Sequence, residues 1–455
     1  MTARGGGSPD VVVVGGGFAG LAAATALAEA GAKVTLCESR PHLGGRARSW
    51  IDPVTGSIID NGQHLLMGCY AEMLRFLERI GAAGRVAWGD GLEVPYLDPG
   101  GRATVLRAGA GRIGALAGLL RFNGLPFGER LAAARVPIAS RRDDPALEEM
   151  TVAQWLARLE QSAEARRRLW DPLAVAALNE APERAAASGF AAALRHAFFS
   201  GPRGIALGAP RVGLSDLYVE PGTHYLRAHG GEVRPRAQVQ RLLESGTRCS
   251  GVLLAGGERL EAGAVIAAVP PKALLELLPP ALAADRFFAR VGELRDSAIL
   301  SVYLWYGAPF VERPYAALLG GFWQWVFMRD GVRPPPSAGK EPAAVRGGLH
   351  VVTLVRSAAA GDADRPKEAL VRQAIEELRR YVPAVGRLAP RHDMVIKEKS
   401  ATVSLTPGTG ALRPTTITPL ERFYLAGDWV ATGIPATVES ACLSGHAAAR
   451  AAARP

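Results

Sequence analysis

Asp10-Val-Val-Val-Val14-Gly15-Gly-Gly17-Phe-Ala-Gly20 is the stretch that decides the fold. Four consecutive valines read as a strand covered on both faces, as strands of parallel sheets are. The G-x-G-x-x-G that follows opens an Ala/Leu-rich helix over residues 18–30, stopped by Gly31. Residues 33–38 form a second strand, with Glu38 at its end. Gly15 permits the tight turn, Gly17 leaves bare backbone for a pyrophosphate, and Gly20 lets the helix approach the strand. The first helical amides, those of Phe18 and Ala19 among them, supply donors and the positive dipole end. Glu38 can accept both hydroxyls of an adenosine ribose. The pattern G-x-G-x-x-G is common, and its place between strand and helix is what makes it informative.

NAD and FAD share this fingerprint, and the next residues separate them. Arg40 follows Glu38, and Leu43-Gly44-Gly45-Arg46 offers two glycines that admit phosphate and an arginine that pairs with it. Asp60-Asn-Gly62-Gln63-His64 is a polar loop. At the far end, Tyr424-Leu-Ala-Gly427-Asp428 is a strand running into Gly-Asp, followed by Gly433-Ile-Pro-Ala436-Thr437-Val438-Glu439 and a small-residue helix to about residue 452. Asp428 can accept a ribityl hydroxyl, and the Thr437 and Val438 amides, next to Ala436, can face the electron-rich edge of a flavin. A motif at each terminus implies one long cofactor held by both ends of the chain, which is FAD.

The two terminal motifs together resemble the FAD-dependent amine oxidase and carotenoid desaturase superfamily. A narrower set, Asp60 to Tyr70, Leu169-Trp-Asp-Pro172, Ala176-Ala-Leu-Asn179, Ala426-Gly-Asp-Trp429 and Gly433 to Thr437, is similar to the hydroxysqualene dehydroxylases, the squalene-associated flavoproteins. Glu180 departs from that pattern, where Thr is expected. The resemblance implies an α/β fold: a Rossmann-like FAD-binding domain with an inserted substrate domain of mixed sheet plus helices. It implies FAD, with Glu38 on the adenosine ribose, Val239 at the adenine, and Gly62, Gln63 and His64 beside the flavin ring; no His or Cys sits where a flavin link is obvious, so the FAD is expected to be non-covalent. It also implies a C30 isoprenoid substrate, an allylic alcohol reduced to squalene with loss of water.

The remaining sequence divides accordingly. Expected segments are 1–108, 208–275 and 393–455 for FAD, a helical insert at 109–207, and a substrate domain at 276–392. Thr151-Val-Ala-Gln154 reads as a capping box. Residues 322–328 alternate, which would put Trp323, Trp325 and Phe327 on one face. Tyr303 and Trp305 share a face of another strand; Trp323, Trp325, Tyr303 and Trp305, with Asn179, are the candidate substrate pocket, with ordinary core packing the competing reading for each aromatic. Residues 330–342 read as a Pro/Gly loop.

With 455 residues and 48% hydrophobic content the chain can bury a large core. Its 53 basic and 43 acidic residues leave a charge of +10, carried almost wholly by arginine, with no long basic run or finger spacing that would favour nucleic acid. The four cysteines lie far apart, which fits reduced thiols and neither a disulfide framework nor a metal site. Residues 1–9 lack an apolar signal core, so a cytoplasmic protein is expected. Residues 109–127 carry leucines and arginines and read either as a solvated face or as a peripheral membrane contact.

An acid must protonate the departing hydroxyl. His64 is the candidate by titration range and by its loop, with a purely structural histidine the competing reading; Asn179 and Glu180 follow. The rival functions are a carotenoid or isoprenoid desaturase, an amine oxidase using Lys397 or Lys399 beside the flavin, and a non-catalytic prenyl-binding protein.

Overall fold

Val11–Val14 pairs in parallel with Val34–Glu38 on one side and Ala264–Ala267 on the other. Glu232–Pro235 and Phe423–Leu425 complete a five-stranded parallel sheet. The computed structural model describes residues 8–109, 111–201, 203–310, 313–328 and 348–454. The expected loop at 330–342 lies outside them.

The valines explain the layering. Val11 and Val13 face the first helix, Phe18–Glu29, and the C-terminal helix, Val438–Ala452. Val12 and Val14 face a three-stranded antiparallel sheet built from Val239–Ser245, Arg248–Leu254 and Arg259–Glu261. The two helices touch through small residues: a Cβ on Gly445 would lie 2.3 Å from the Ala19 carbonyl oxygen. Alanine, serine and glycine are therefore required along this contact, because larger side chains would push the helices apart.

A seven-stranded mixed sheet forms the second layer. Its order is His392–Val403, Asp296–Tyr306, His350–Arg356, Trp325–Met328, Tyr315–Leu318, Gly91–Leu97 and Ala103–Gly109. One face, with Leu300, Val302, Leu304 and Val326, packs on the amphipathic helix Lys367–Tyr381. The other carries Tyr96, Trp325 and Phe327 against the helical insert, and Tyr303 and Trp305 against Ile59. Residues 91–108 and 393–403, grouped from the sequence with the FAD-binding segments, are hydrogen-bonded into this second sheet. Both are continuous with FAD-site loops in sequence, so only pairing partners distinguish them.

The insert is helical as expected: Gly111–Arg121, Phe127–Ala133, Arg135–Ala139, Val152–Arg158, Asp171–Leu178 and Ala187–Phe199 are its main α-helices. Both capping-box bonds between Thr151 and Gln154 are present. The four cysteines are buried and unpaired. Among the described residues there is no metal-holding cluster of His, Cys, Asp and Glu, and no helix long and apolar enough to cross a membrane.

Candidate flavin and substrate site

The nucleotide end is built by glycine geometry. Gly15 has φ of 103°, and a Cβ there would meet the Ala268 carbonyl oxygen at 2.5 Å. A Cβ on Gly20 would meet the Gly15 oxygen at 1.9 Å, so turn and helix close up only with glycine. Gly17 is different: a Cβ there would meet nothing within 4 Å. Across from it lies Gly45, whose Cβ would come 3.5 Å from the Gly17 Cα, and the Gly44 N–H donates to the Gly16 carbonyl (2.8 Å). Bare backbone thus faces bare backbone at the start of a helix that has no side-chain cap. Such an arrangement could hold a pyrophosphate.

Glu38 is buried at the end of its strand. Its Oε2 accepts from the Gly16 N–H (2.9 Å) and its Oε1 from the Arg40 N–H (2.9 Å). The Ala237 N–H donates to the Glu38 carbonyl (2.9 Å), and the Arg236 N–H to that of Arg40 (3.0 Å). This pairing brings Val239, two residues on, beside the ribose-binding end, where the resemblance puts the adenine.

The two terminal motifs meet. The Arg46 guanidinium pairs with Asp428 Oδ1 at 2.5 Å and donates to the Ala401 carbonyl at 2.8 Å. Asn61 Nδ2 donates to the Arg46 carbonyl (2.7 Å), tying in the polar loop. Gly427 adopts φ of 150°, and a Cβ on it would strike Trp429 Nε1 at 2.5 Å. Thr437 caps the C-terminal helix by accepting from the Ser440 N–H (3.2 Å), which sets the Thr437 and Val438 amides, next to buried Ala436, at its positive end. Two bare glycine turns, a buried carboxylate at the end of the second strand and a carboxylate–guanidinium pair between termini fit FAD.

The polar loop rests on the second sheet. Tyr303 Oη donates to the Asp60 carbonyl (2.7 Å) and accepts from Gln63 Nε2 (3.2 Å). Trp305 Nε1 donates to Ser57 Oγ (2.9 Å). Both aromatic side chains are fully buried, so they form the floor under the loop of Gly62, Gln63 and His64. Burial holds His64 below the usual histidine range, with the nearby Asp60 charge and an Asn61 backbone hydrogen bond opposing the shift.

Trp323 is not on the face expected for it. The strand begins only at Trp325, after a turn, and Trp323 packs on the opposite side with the helix Lys367–Tyr381, its backbone N–H donating to Glu377 Oε2 (3.0 Å). Trp325 and Phe327 do share a face, their rings 6.3 Å apart. Asn179 ends the helix Asp171–Leu178 in the left-handed conformation, φ 51°. Its amide is spent on structure: Nδ2 donates to Thr402 Oγ1 (2.9 Å) and the Ser297 carbonyl (3.3 Å), and Oδ1 accepts from the Ala358 N–H (2.9 Å). Glu180 accepts from Ser404 Oγ and pairs with Arg184. Both tie the insert to the second sheet. Lys397 donates to the Arg365 carbonyl and Lys399 pairs with Asp364 at 2.7 Å, so both amines are engaged by the 364–365 turn.

Three positioning residues carried no sequence signal. Tyr218 stacks on Phe18 at 3.7 Å, and its hydroxyl lies within hydrogen-bond reach of the Gly44 (2.6 Å) and Ala47 (2.9 Å) carbonyls, which share its one proton. Arg413 donates to the carbonyls of Asp428, Trp429, Val430 and Ile434. Glu439 accepts from the Glu72 (3.0 Å) and Met73 (2.8 Å) amides, capping the helix Ala71–Arg79 that follows the polar loop. Desolvation pushes the Glu439 carboxyl up to about 6, against those two amide bonds.

The family described as flavin containing amine oxidoreductase matches residues 18–453. The chain is 29% identical to a hydroxysqualene dehydroxylase of Rhodopseudomonas palustris, over 97% of this chain and 98% of that one. It is 24% identical to a 15-cis-phytoene desaturase of an Oncidium hybrid, over 97% of this chain and 77% of the relative. In fold it is similar to cyclohexylamine oxidase from Brevibacterium oxydans, with a TM-score of 0.71 at 19% identity, covering 98% of this chain and 99% of that one.

Proposed function

The chain belongs to the flavin-containing amine oxidoreductase family, and from that premise we propose that it reduces hydroxysqualene to squalene with release of water, a step toward squalene and hopanoids. The observation that carries the reading is full-length similarity to three hydroxysqualene dehydroxylases. The reaction consumes one hydride and one proton: the allylic C–O bond breaks, a C–H bond forms, and the protonated hydroxyl leaves as water. Bound FAD in its reduced form would supply the hydride.

The chain's own residues do the rest. Glu38, Gly17, Gly45 and Asp428 hold the cofactor from both ends. Tyr303 and Trp305 fix the loop that carries His64. His64 delivers the proton to the leaving oxygen, and Trp325 and Phe327 give a wall on which a polyisoprene lies without water. Aromatic faces also favour the positive charge that develops as the hydroxyl departs. The reading places the protein in the cytoplasm at a membrane face, where a C30 lipid is available.

The test is one anaerobic reaction of dithionite-reduced holoprotein with hydroxysqualene. Squalene should appear in step with flavin reoxidation. The desaturase relatives favour a second reading, in which the cofactor runs in the oxidising direction. Oxidised protein that desaturates a carotenoid precursor, with reduced protein inert toward hydroxysqualene, would establish that reading and end the first. An amine oxidase is disfavoured because Lys397 and Lys399 are both engaged at the 364–365 turn.

A further inference from the structure

Exposed large apolar side chains are unevenly distributed. Half of those among the described residues lie in one short stretch: Ile113 at 88% exposure, Phe127 at 67%, Leu131 at 51% and Ile138 at 58%. Ala134 links the helices Phe127–Ala133 and Arg135–Ala139 with helical angles, φ −63° and ψ −19°. At about 100° per residue, Phe127, Leu131 and Ile138 then fall within about 40° of one another, a single outward stripe. The inward side is already satisfied, since Leu119, Phe122, Leu125 and Val136 are buried in the core that also contains Trp325 and Phe327. Nothing in the fold requires the outward stripe to be apolar.

Charge identifies what it meets. Between residues 111 and 142 the sequence has six arginines and one acid, Glu129, a surplus of five positive charges, and the acids that follow, Asp143 and Asp144, lie within ion-pair distance of Arg195 and Arg158. Arg112, Arg121, Arg141 and Arg142 are exposed beside the stripe. Among the described residues none of these four has a carboxylate within salt-bridge distance. A second copy of the chain would meet this surface in a self-complementary contact, setting that positive surplus against itself. An anionic bilayer offers the complementary charge and an apolar interior in one surface.

We propose that the surface formed by residues 111–142 seats on an anionic bilayer, with Ile113, Phe127, Leu131 and Ile138 entering the acyl boundary and Arg112, Arg121, Arg141 and Arg142 meeting lipid phosphates. The inner side of the same segment covers the aromatic face of the second sheet, so one helical layer separates the membrane from the Trp325–Phe327 wall. This inference stands on surface chemistry and is independent of the reaction direction.

The experiment is sedimentation of the holoprotein with vesicles of phosphatidylcholine alone or mixed with phosphatidylglycerol, without substrate. Binding to the mixed vesicles should be at least about tenfold tighter and should weaken with salt, because attraction to anionic lipid is screened. Phe127→Asp with Leu131→Asp should lower that binding at least about tenfold, since these side chains supply the apolar contact. Arg112→Glu with Arg121→Glu should abolish the preference for the mixed vesicles. Because all four residues are exposed, retained flavin colour and an unchanged melting temperature verify folding of each variant. Equal binding to neutral and mixed vesicles, or undiminished binding by the aspartate variant, would overturn the proposal. So would wild-type protein that is dimeric in solution and becomes monomeric only in the aspartate variant.

Discussion

His64→Gln tests the chemistry most directly, and the structure sets its magnitude. Burial holds the His64 imidazole below its ordinary 6.5. Around neutral pH and above, the resting protein therefore carries mainly the neutral imidazole. If His64 gives the proton, the rate must follow the charged fraction. It should be highest on the acid side and decline as pH rises. Removing the acid should slow the reaction by roughly 10²–10⁴-fold, about 3–5 kcal/mol of barrier, and flatten that profile. The assay is rapid anaerobic mixing of pre-reduced protein with hydroxysqualene across pH 6–8, following flavin absorbance and squalene together. Gln63 and Tyr303 hold the loop independently of the imidazole, so the variant should keep its flavin and its spectrum. A wild-type rate that is flat over this range, or a variant as fast as wild type, refutes His64 as the acid. A variant that loses flavin or changes its absorbance shape assigns His64 to cofactor positioning instead.

Glu38→Gln keeps one acceptor for the Gly16 or Arg40 amide but loses the charge, so FAD affinity should drop by about 10- to 150-fold, equivalent to about 1.5–3 kcal/mol; equilibrium titration of apoprotein giving an unchanged Kd would count against the ribose assignment. FAD is expected to be held without a covalent bond, and acid precipitation should release the yellow colour to the supernatant; colour retained by the washed pellet contradicts this. Glu439 has a folded-state carboxyl near 6 against 4.5 for the free group. The folded state thus binds the extra proton, and this contribution, present below 4.5, is lost as pH rises through about 6. The unfolding free energy of wild type relative to Glu439→Gln should therefore shrink by about 2 kcal/mol between pH 4.5 and 7, measured by urea titration; a gap that widens with pH shows the two amide bonds outweighing desolvation.

Short-range physics made the nucleotide half legible from the sequence. The run of valines, the glycine turn, the following helix and the terminal Glu38 specify one another within thirty residues, because the strand needs two covered faces and the turn needs bare backbone. Thr151 and Gln154 likewise satisfy each other's amides locally. The C-terminal Gly427–Asp428 turn was readable for the same reason, although its meeting with Arg46 spans almost the whole chain. What the sequence could not show depended on partners far away. Alternation around Trp323 assumed a strand from residue 322; the strand starts at Trp325 because Glu377, from a distant helix, holds the Phe322 and Trp323 amides in a turn. That three-residue difference is enough to lose the alternation and turn Trp323 to the opposite core. Asn179 looked available for substrate until strands more than a hundred residues away consumed its amide. Tyr218, Arg413 and Glu439 acquired their positioning roles by the same route: each meets backbone groups presented by another segment, and no local pattern encodes which carbonyls or amides the folded chain will bring to a side chain.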